Sequence, residues 1–205
     1  MIFLGFAKVA KPMDADVILA MAKWPNVPPA WGWLRLDRRG QWFLVKRDAD
    51  DFIESRDGLG SIVRNERMID YIGRNYASDE QGRWFFQNGP QRAYADLELA
   101  PWVLRIDITA ERLHWLTHTG VFAQQTLAAA TDAIGNFYVL TELGLGLVDD
   151  RHLARLEHRL TTQDDQLLLH LPRKNSEDKQ TLVVQAYNDI AKQFNYTLRP
   201  RFGDL

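Results

Sequence analysis

The amino-acid sequence predicts an α+β protein, built as two adjoining β-rich halves of antiparallel hairpins with a few short helices. Short segments rich in β-branched and aromatic residues recur along the chain and are separated by glycine, asparagine and proline. Three of the turns between such segments share the pattern Asp-x-x-Gly-x-aromatic. Few stretches place apolar residues at helical spacing, and each of these stretches is short.

The composition is that of a globular protein and excludes several functional classes. Of the 205 residues, 46% are hydrophobic and 25% are charged, so a sizeable core can form. The formal net charge is -2, and a protein without a broad basic surface is a poor partner for nucleic acid. Cysteine is absent, which excludes disulfides, thiolate catalysis and cysteine-ligated metal sites. Because no apolar stretch approaches the roughly 18 residues of a membrane span, we expect a cytoplasmic protein without a membrane partner.

The chain is predicted to divide into three segments. Residues 1–12 are expected to be an N-terminal extension outside the fold, because Met13 directly precedes a helix start and could itself be the first residue. Residues 13–108 form the N-terminal α+β half, and residues 109–205 form the C-terminal β-rich half. Separate domains and one shared core are both compatible with this pattern.

Helices and strands are predicted within each half from capping residues and apolar spacing. The N-terminal half has helices near residues 14–23 and 65–76, each opened by a polar residue that suits an N-cap. The C-terminal half has a helix through about residue 159, which begins after an aspartate pair, and a short helix at 188–194. A final strand is expected at 196–198.

The repeated hairpin pattern occurs at residues 37–43, 79–85 and 132–138. Its aspartate can accept hydrogen bonds from backbone amides two residues on, and its glycine can adopt the left-handed conformation that closes a type I turn with a bulge. Two adjacent aromatic residues start each return strand and point to opposite faces, which indicates strands that are covered on both sides. One aspartate per turn offers too few oxygen ligands for calcium. The repeat therefore indicates architecture and not chemistry.

Candidate ligand-binding residues flank the second hairpin. Guanidinium and amide groups there could recognise a carboxylate, a phosphate or a peptide backbone. The same amides could instead satisfy backbone groups around the Asn-Gly-Pro turn, which is a purely structural role. The candidates are Arg74, Asn75, Tyr76, Gln87, Asn88, Gln91 and Arg92.

Other motifs indicate no catalytic residue, metal site or cofactor. His114 and His118 have helical metal-ligand spacing, but they lie among strand and turn residues, where their side chains would be far apart. We therefore interpret them as surface histidines. Trp24, Trp31 and Trp33 surround a proline-rich connector. They could line an aromatic groove, but filling the core between helix and sheet is the favoured interpretation.

Several of these motifs together resemble an uncharacterised family of small proteobacterial proteins of unknown function. The resemblance covers about residues 13–150. It is carried by Trp24-Pro25-Asn26-Val27-Pro28, Gly32-Trp33-Leu34, Gly73-Arg74-Asn75-Tyr76, Trp84-Phe85-Phe86-Gln87-Asn88-Gly89-Pro90-Gln91-Arg92 and Ala100-Pro101-Trp102-Val103. The order of the motifs is also distantly similar to a second uncharacterised bacterial family with two small β-rich domains. Neither resemblance implies an activity.

The sequence thus favours a cytoplasmic module that binds a small molecule or a protein, in a regulatory or interaction role, and leaves its oligomeric state open. The alternative is a small enzyme that acts on an anionic substrate through arginine, asparagine and glutamine side chains. An enzyme would gather titratable groups with shifted pKa values in one pocket. A binding module would instead expose an apolar, tryptophan-bearing patch or a sheet edge.

Overall fold

A computed structural model describes residues 13–47, 53–109, 112–172 and 179–203, and it confirms the α+β, strand-rich fold. The predicted extension at residues 1–12 lies outside this described part. Contacts group the chain into two compact units. The first unit comprises the described chain up to Pro101 together with the residues from Phe194 onward. The second unit spans Trp102–Gln193. The division thus falls one strand before the predicted boundary at residues 108 and 109, and the last residues return to the first unit.

The first unit contains a six-stranded sheet and three helices. The strand order is β3-β2-β1-β6-β5-β4, with β1 and β6 parallel and the other neighbours antiparallel. The strands are β1 Ala30–Leu36, β2 Trp42–Leu44, β3 Ser61–Ile62, β4 Tyr76–Ser78, β5 Trp84–Asn88 and β6 Gln91–Leu97. The helices are α1 Ala15–Lys23, α2 Glu54–Asp57 and α3 Glu66–Arg74.

Helix α3 shows how local sequence sets these elements. Asn65 caps its start, because its Oδ1 accepts a hydrogen bond from the backbone N–H of Met68 at 3.1 Å. Its inward face buries Ile72 completely and brings Tyr71 edge-on to Phe86 of β5, with 5.2 Å between ring centroids. The predicted helices at 14–23 and 65–76 are confirmed, each slightly shorter than expected.

The second unit holds a nine-stranded sheet with the order β13-β14-β15-β10-β11-β12-β7-β8-β9. A 3₁₀ helix, Asp150–Arg159, and the short helix α4 Ile190–Gln193 confirm the two helices predicted there. The strands are β7 Trp102–Thr109, β8 Arg112–Thr117, β9 Phe122–Ala123, β10 Thr126–Asp132, β11 Phe137–Thr141, β12 Gly144–Val148, β13 Leu160–Gln163, β14 Gln166–Pro172 and β15 Lys179–Tyr187.

All three repeated turns have the predicted geometry. In each, the glycine has a φ between 73° and 84°, and its N–H donates to the aspartate carbonyl at 3.1 Å. One carboxylate oxygen of each aspartate accepts two backbone N–H groups, at distances of 2.7 to 3.1 Å. The aromatic pairs of the second and third hairpins are at most 5% exposed, so both faces of those strands are covered.

A fourth turn has the same geometry without the aspartate. The N–H of Gly120 donates to the carbonyl of Thr117 at 2.9 Å, and Gly120 has a φ of 78°. The Thr117 hydroxyl accepts the N–H of Val121 at 3.0 Å and so takes the role of the carboxylate. A search for aspartate alone misses this turn, although a threonine hydroxyl makes the same type of bond.

Two expectations about the first unit were wrong. Residues 196–198 form no strand, because their backbone bonds go to separate partners: Thr197 donates to Gly82, and Leu198 accepts from Leu97. Trp24 and Trp33 do not fill the core, since they are 50% and 46% exposed. Trp24 follows the last residue of α1 and Trp33 lies at a register shift in β1, positions that turn both rings outward.

Candidate ligand-binding site

The two residues at the end of α3 are held by the start of α1. Asn75 is fully buried, and its Oδ1 accepts the backbone N–H of Asp14 at 2.9 Å. Its Nδ2 donates to the carbonyl of Tyr71 at 3.0 Å and to Asp14 Oδ2 at 3.2 Å. Each polar atom of the Asn75 side chain is thus used within the protein, which gives it a structural role.

Arg74 forms an ion pair with the same aspartate. Its Nε lies 3.0 and 3.1 Å from the two carboxylate oxygens of Asp14, and this hydrogen bond raises the pKa of Arg74. The pair lies at a shallow surface depression of about 350 Å³. Because Asp14 already neutralises the guanidinium, Arg74 is not poised to hold an anion. The lining residues of the depression are Asp14, Asp16, Val17, Tyr71, Arg74 and Gly89.

Tyr76 belongs to the core. It is 8% exposed, its ring packs against Trp42 and Trp84 with centroids 5.1 and 5.0 Å away, and its hydroxyl donates to the carbonyl of Pro101 at 3.1 Å. Burial raises the pKa of Tyr76 well above its ordinary value. The predicted candidate Tyr76 therefore lies away from solvent, whereas the candidate Asn88 is an exposed turn residue.

Gln87 and Arg92 face each other directly across β5 and β6. Gln87 is 1% exposed, and its Nε2 donates to the carbonyl of Gly89 at 2.9 Å, which leaves its Oε1 as the acceptor end. That Oε1 is buried and accepts no hydrogen bond from the described residues. Gln91, one position before Arg92, is held through its Nε2 by the carbonyl of Pro28 at 3.0 Å.

The guanidinium of Arg92 lies over an aromatic ring. Its Cζ is 4.5 Å from the centroid of Phe85, which is two residues before Gln87 on the same face of β5. Within the described part of the chain, no carboxylate lies within ion-pair distance of Arg92. We call Phe85, Gln87 and Arg92 the β5–β6 cluster.

Tyr94 and Arg83, which the sequence analysis did not single out, continue this face of the sheet together with Trp31. Tyr94 stacks on Trp31 with 4.0 Å between centroids and an interplanar angle of 4°, and the guanidinium of Arg83 lies 5.2 Å from the Tyr94 ring. The Tyr94 hydroxyl donates to Asp79 Oδ2 at 3.0 Å. Arg92 and Tyr94 are two positions apart on β6, so the sequence alone indicates that their side chains share one face of the sheet. The pairing of β1 with β6, which adds Trp31, was not predictable from local sequence.

Titratable groups with shifted pKa values are spread over several places. Burial raises the pKa of Asp79, but hydrogen bonds from Arg83 and Tyr94 outweigh it, so the pKa lies below its ordinary value. Asp132 behaves in the same way through Asn136 and Tyr138. A hydrogen bond from Arg151 lowers the pKa of Asp149 to about 2. Each carboxylate serves its own turn or helix start, so the three form no acid–base pair.

The two histidines of the predicted His-x-x-x-His spacing do not form a metal site with other ligands. His118 packs its ring 5.6 Å from that of Trp102, and its Nδ1 accepts the N–H of Val103 at 3.3 Å. Burial and the charge of Arg105 lower the pKa of His118 to about 3, so the interpretation of His118 as a surface histidine was wrong. Among the residues that the structure describes, no three His, Asp or Glu side chains are grouped closely enough to hold a metal ion.

No helix in the described ranges is long and apolar enough to cross a membrane.

Comparison with known proteins gives a family without an assigned activity. The model of the family described as "Protein of unknown function (DUF2946)" matches residues 13–201. No curated protein matches the sequence. The crystal structure of a DUF1285 family protein from Silicibacter pomeroyi DSS-3 is similar at a TM-score of 0.49 and 17% identity, covering 69% of this chain and 75% of that chain. The resemblance to an uncharacterised family is thereby confirmed, and the chain belongs to the family described as "Protein of unknown function (DUF2946)".

Proposed function

We propose that this chain is a cytoplasmic ligand-binding module and that its ligand is held by the β5–β6 cluster. One observation carries the proposal. Gln87 Oε1 is a buried acceptor without a described partner, and the guanidinium of Arg92 has no described counter-ion. The two residues lie directly opposite each other on neighbouring strands. The absence of cysteine suits the reducing interior of a cell.

The chemistry of the two side chains defines a ligand class. An unsatisfied buried acceptor costs about 1–3 kcal/mol, so a ligand N–H or O–H donor would remove that cost. A guanidinium binds carboxylates in a planar, two-point geometry. Because the two residues are directly opposed, their terminal groups suit a carboxylate with an adjacent amide N–H, as in an N-acylated amino acid or the C-terminal residue of a peptide.

The cluster is built on rigid elements, which favours binding. Both residues lie within strands, and Phe85 supports the guanidinium from below while being 3% exposed itself. Since Gln87 Oε1 is buried, a ligand must open the site locally to reach it.

An enzymatic function has less support. The alternative of a small enzyme on an anionic substrate needs a general acid or base beside the anion-binding group. The aspartates with lowered pKa values are already occupied by their turns, and none of them has a described contact to Arg92. Binding without chemistry is therefore the better supported function.

A thermal-shift screen tests the proposal. The probes are the N-acetyl derivatives of the common amino acids, with acetate as an anion without the amide and N-methylacetamide as an amide without the charge. We expect at least one N-acetyl amino acid to raise the melting temperature, and neither of the two fragments to match it.

Variants then locate the site. Arg92→Ala and Gln87→Met should abolish the ligand-induced shift, whereas Arg64→Ala, which removes an exposed arginine elsewhere, should retain it. Isothermal titration measures the same loss as a change in Kd of at least about tenfold. If no probe shifts the wild type, or if Arg92→Ala keeps the full shift, the proposal is wrong.

A further inference from the structure

Helix α1 carries an apolar surface to solvent. Seven of its nine residues are apolar, yet Val17 is its buried residue, while Ile18 and Leu19 are 51% and 67% exposed. A surface helix normally exposes a charged or polar face. This helix has only two charged residues, Asp16 and Lys23.

The exposed apolar residues form one continuous face along one side of the helix. At 100° per residue, Ala15, Ile18, Leu19 and Ala22 lie on the side opposite Val17, and all four are exposed. Asp16 and Lys23 are seven positions apart, which places them on one flank of that face and about 10 Å apart along the axis. The apolar face thus has an acidic group at one end of a single edge and a basic group at the other.

We propose that a second copy of this chain covers the face, with the two α1 helices antiparallel across a two-fold axis. In that arrangement residues on the same flank meet, so Asp16 of one copy faces Lys23 of the other, and the pair occurs twice. Leu19 lies near the centre of the contact, and the small side chains of Ala15 and Ala22 let the helices approach closely. The charge pattern of α1 is complementary to itself in this orientation alone, since two parallel helices place their charged flanks on opposite sides of the contact and form no Asp16–Lys23 pair.

The contact area predicts a weak dimer. A helix of nine residues is about 13.5 Å long, too short to bury by itself the roughly 800 Å² per partner that is usual in stable complexes. Trp24 follows the helix and is half exposed, but at 100° per residue it lies on the side of Val17 and adds no area to this face. Its ring is 4.5 Å from Lys23 Nζ, a contact that leaves the Lys23 residue exposed. We therefore expect dissociation in the micromolar range and a monomer–dimer equilibrium that depends on concentration.

Sedimentation velocity of the full chain from about 1 µM to about 500 µM tests the dimer. The wild type should shift towards twice the monomer mass, and Leu19→Glu should stay monomeric. Asp16→Lys and Lys23→Asp should each weaken association at least about tenfold. An equimolar mixture of these two variants should associate again, because each copy then offers the charges that the other lacks. Arg64→Glu, on another surface, should behave as the wild type.

The double variant Asp16→Lys with Lys23→Asp tests whether charge pairing, and not the identity of either side chain, sustains the association. It carries the unfavourable charge at both helix ends but restores both pairs of an antiparallel dimer, so it should associate as the wild type does. A wild type that is monomeric throughout overturns the proposal. Dimers that the charge changes do not weaken, or that the mixture does not restore, overturn it as well. Arg92→Ala should dimerise normally, which separates this test from that of the ligand site.

Discussion

The turns of the second and third hairpins, Asp79–Gly82 and Asp132–Gly135, share one sequence pattern in two different units. In both, one carboxylate oxygen accepts two backbone N–H groups, and the other accepts a side-chain N–H and a tyrosine hydroxyl. The two turns differ in what packs against them. The carbonyl of Gly82 accepts the N–H of Thr197, and a Cβ added to Gly82 would overlap the carbonyl oxygen of Asn195. By contrast, nothing lies within 4 Å of the place where a Gly135 side chain would begin.

The difference shows that one local structure can serve two purposes. At the third hairpin, the turn only reverses the chain. At the second, it is also a platform for the returning C-terminal segment, which Tyr196 fixes through a hydrogen bond to the carbonyl of Leu99 at 2.5 Å. Arg201 fixes the segment again through a forked ion pair with Asp96, with distances of 2.5 and 2.9 Å.

Substituting the two glycines should give the largest difference in unfolding free energy between the two turns. Gly135→Ala places a side chain at a φ of 84° in open space, which should cost about 1 kcal/mol. Gly82→Ala adds a steric clash with the Asn195 carbonyl, so we expect a loss of about 3 kcal/mol or more. Urea denaturation followed by tryptophan fluorescence measures both. Equal losses would show that the C-terminal segment contributes little at the second turn.

Substituting the aspartates should show what the turns have in common. Asp79→Ala and Asp132→Ala each remove four hydrogen bonds, and we expect each to cost about 2–3 kcal/mol. Asp37, in the first hairpin, accepts two backbone N–H groups and no tyrosine hydroxyl from the described residues, so Asp37→Ala should cost about 1 kcal/mol. The free energy of unfolding from urea titration gives the order. A loss at Asp37 as large as the others would contradict a role for the tyrosines.

The pH dependence of stability should distinguish these turns from the fourth, which contains His118. The pKa of His118 in the folded protein is about 3, below the ordinary 6.5. As the pH falls, His118 is therefore protonated in the unfolded chain before it is protonated in the folded protein. The contribution of His118 is complete above pH 6.5 and is lost as the pH falls towards 3, with a slope of up to about 1.4 kcal/mol per pH unit. Asp79 and Asp132 have folded pKa values below 3.8, so their contribution is lost only at more acidic pH.

His118→Asn should therefore flatten the fall in unfolding free energy between about pH 6.5 and pH 4.5. His158→Asn, at an exposed position, should leave that slope as it is in the wild type. The measurement is the unfolding free energy at several pH values. An unchanged slope in His118→Asn would show that His118 is not kept neutral in the folded protein.

The candidate site could be predicted only in part. Local sequence drew attention to Gln87 and Arg92, since both flank a turn with more polar groups than a turn needs. It could not show that Asn75 and Arg74 are held by Asp14, which is 61 and 60 positions away. It also could not show that Arg92 lies on Phe85, because that contact depends on the pairing register of β5 and β6.

The sequence by itself determined the α+β class, the main helices and all three aspartate turns, because these depend on residues within about five positions of each other. Tertiary structure alone decided the return of the C-terminal segment to Gly82 and Asp96, the exposure of Trp24, and the partners of Arg74 and Asn75. The physical reason is that turn closure is a local backbone preference. Burial and ion pairing are set instead by which distant segments pack together, and many different pairings satisfy the same local pattern.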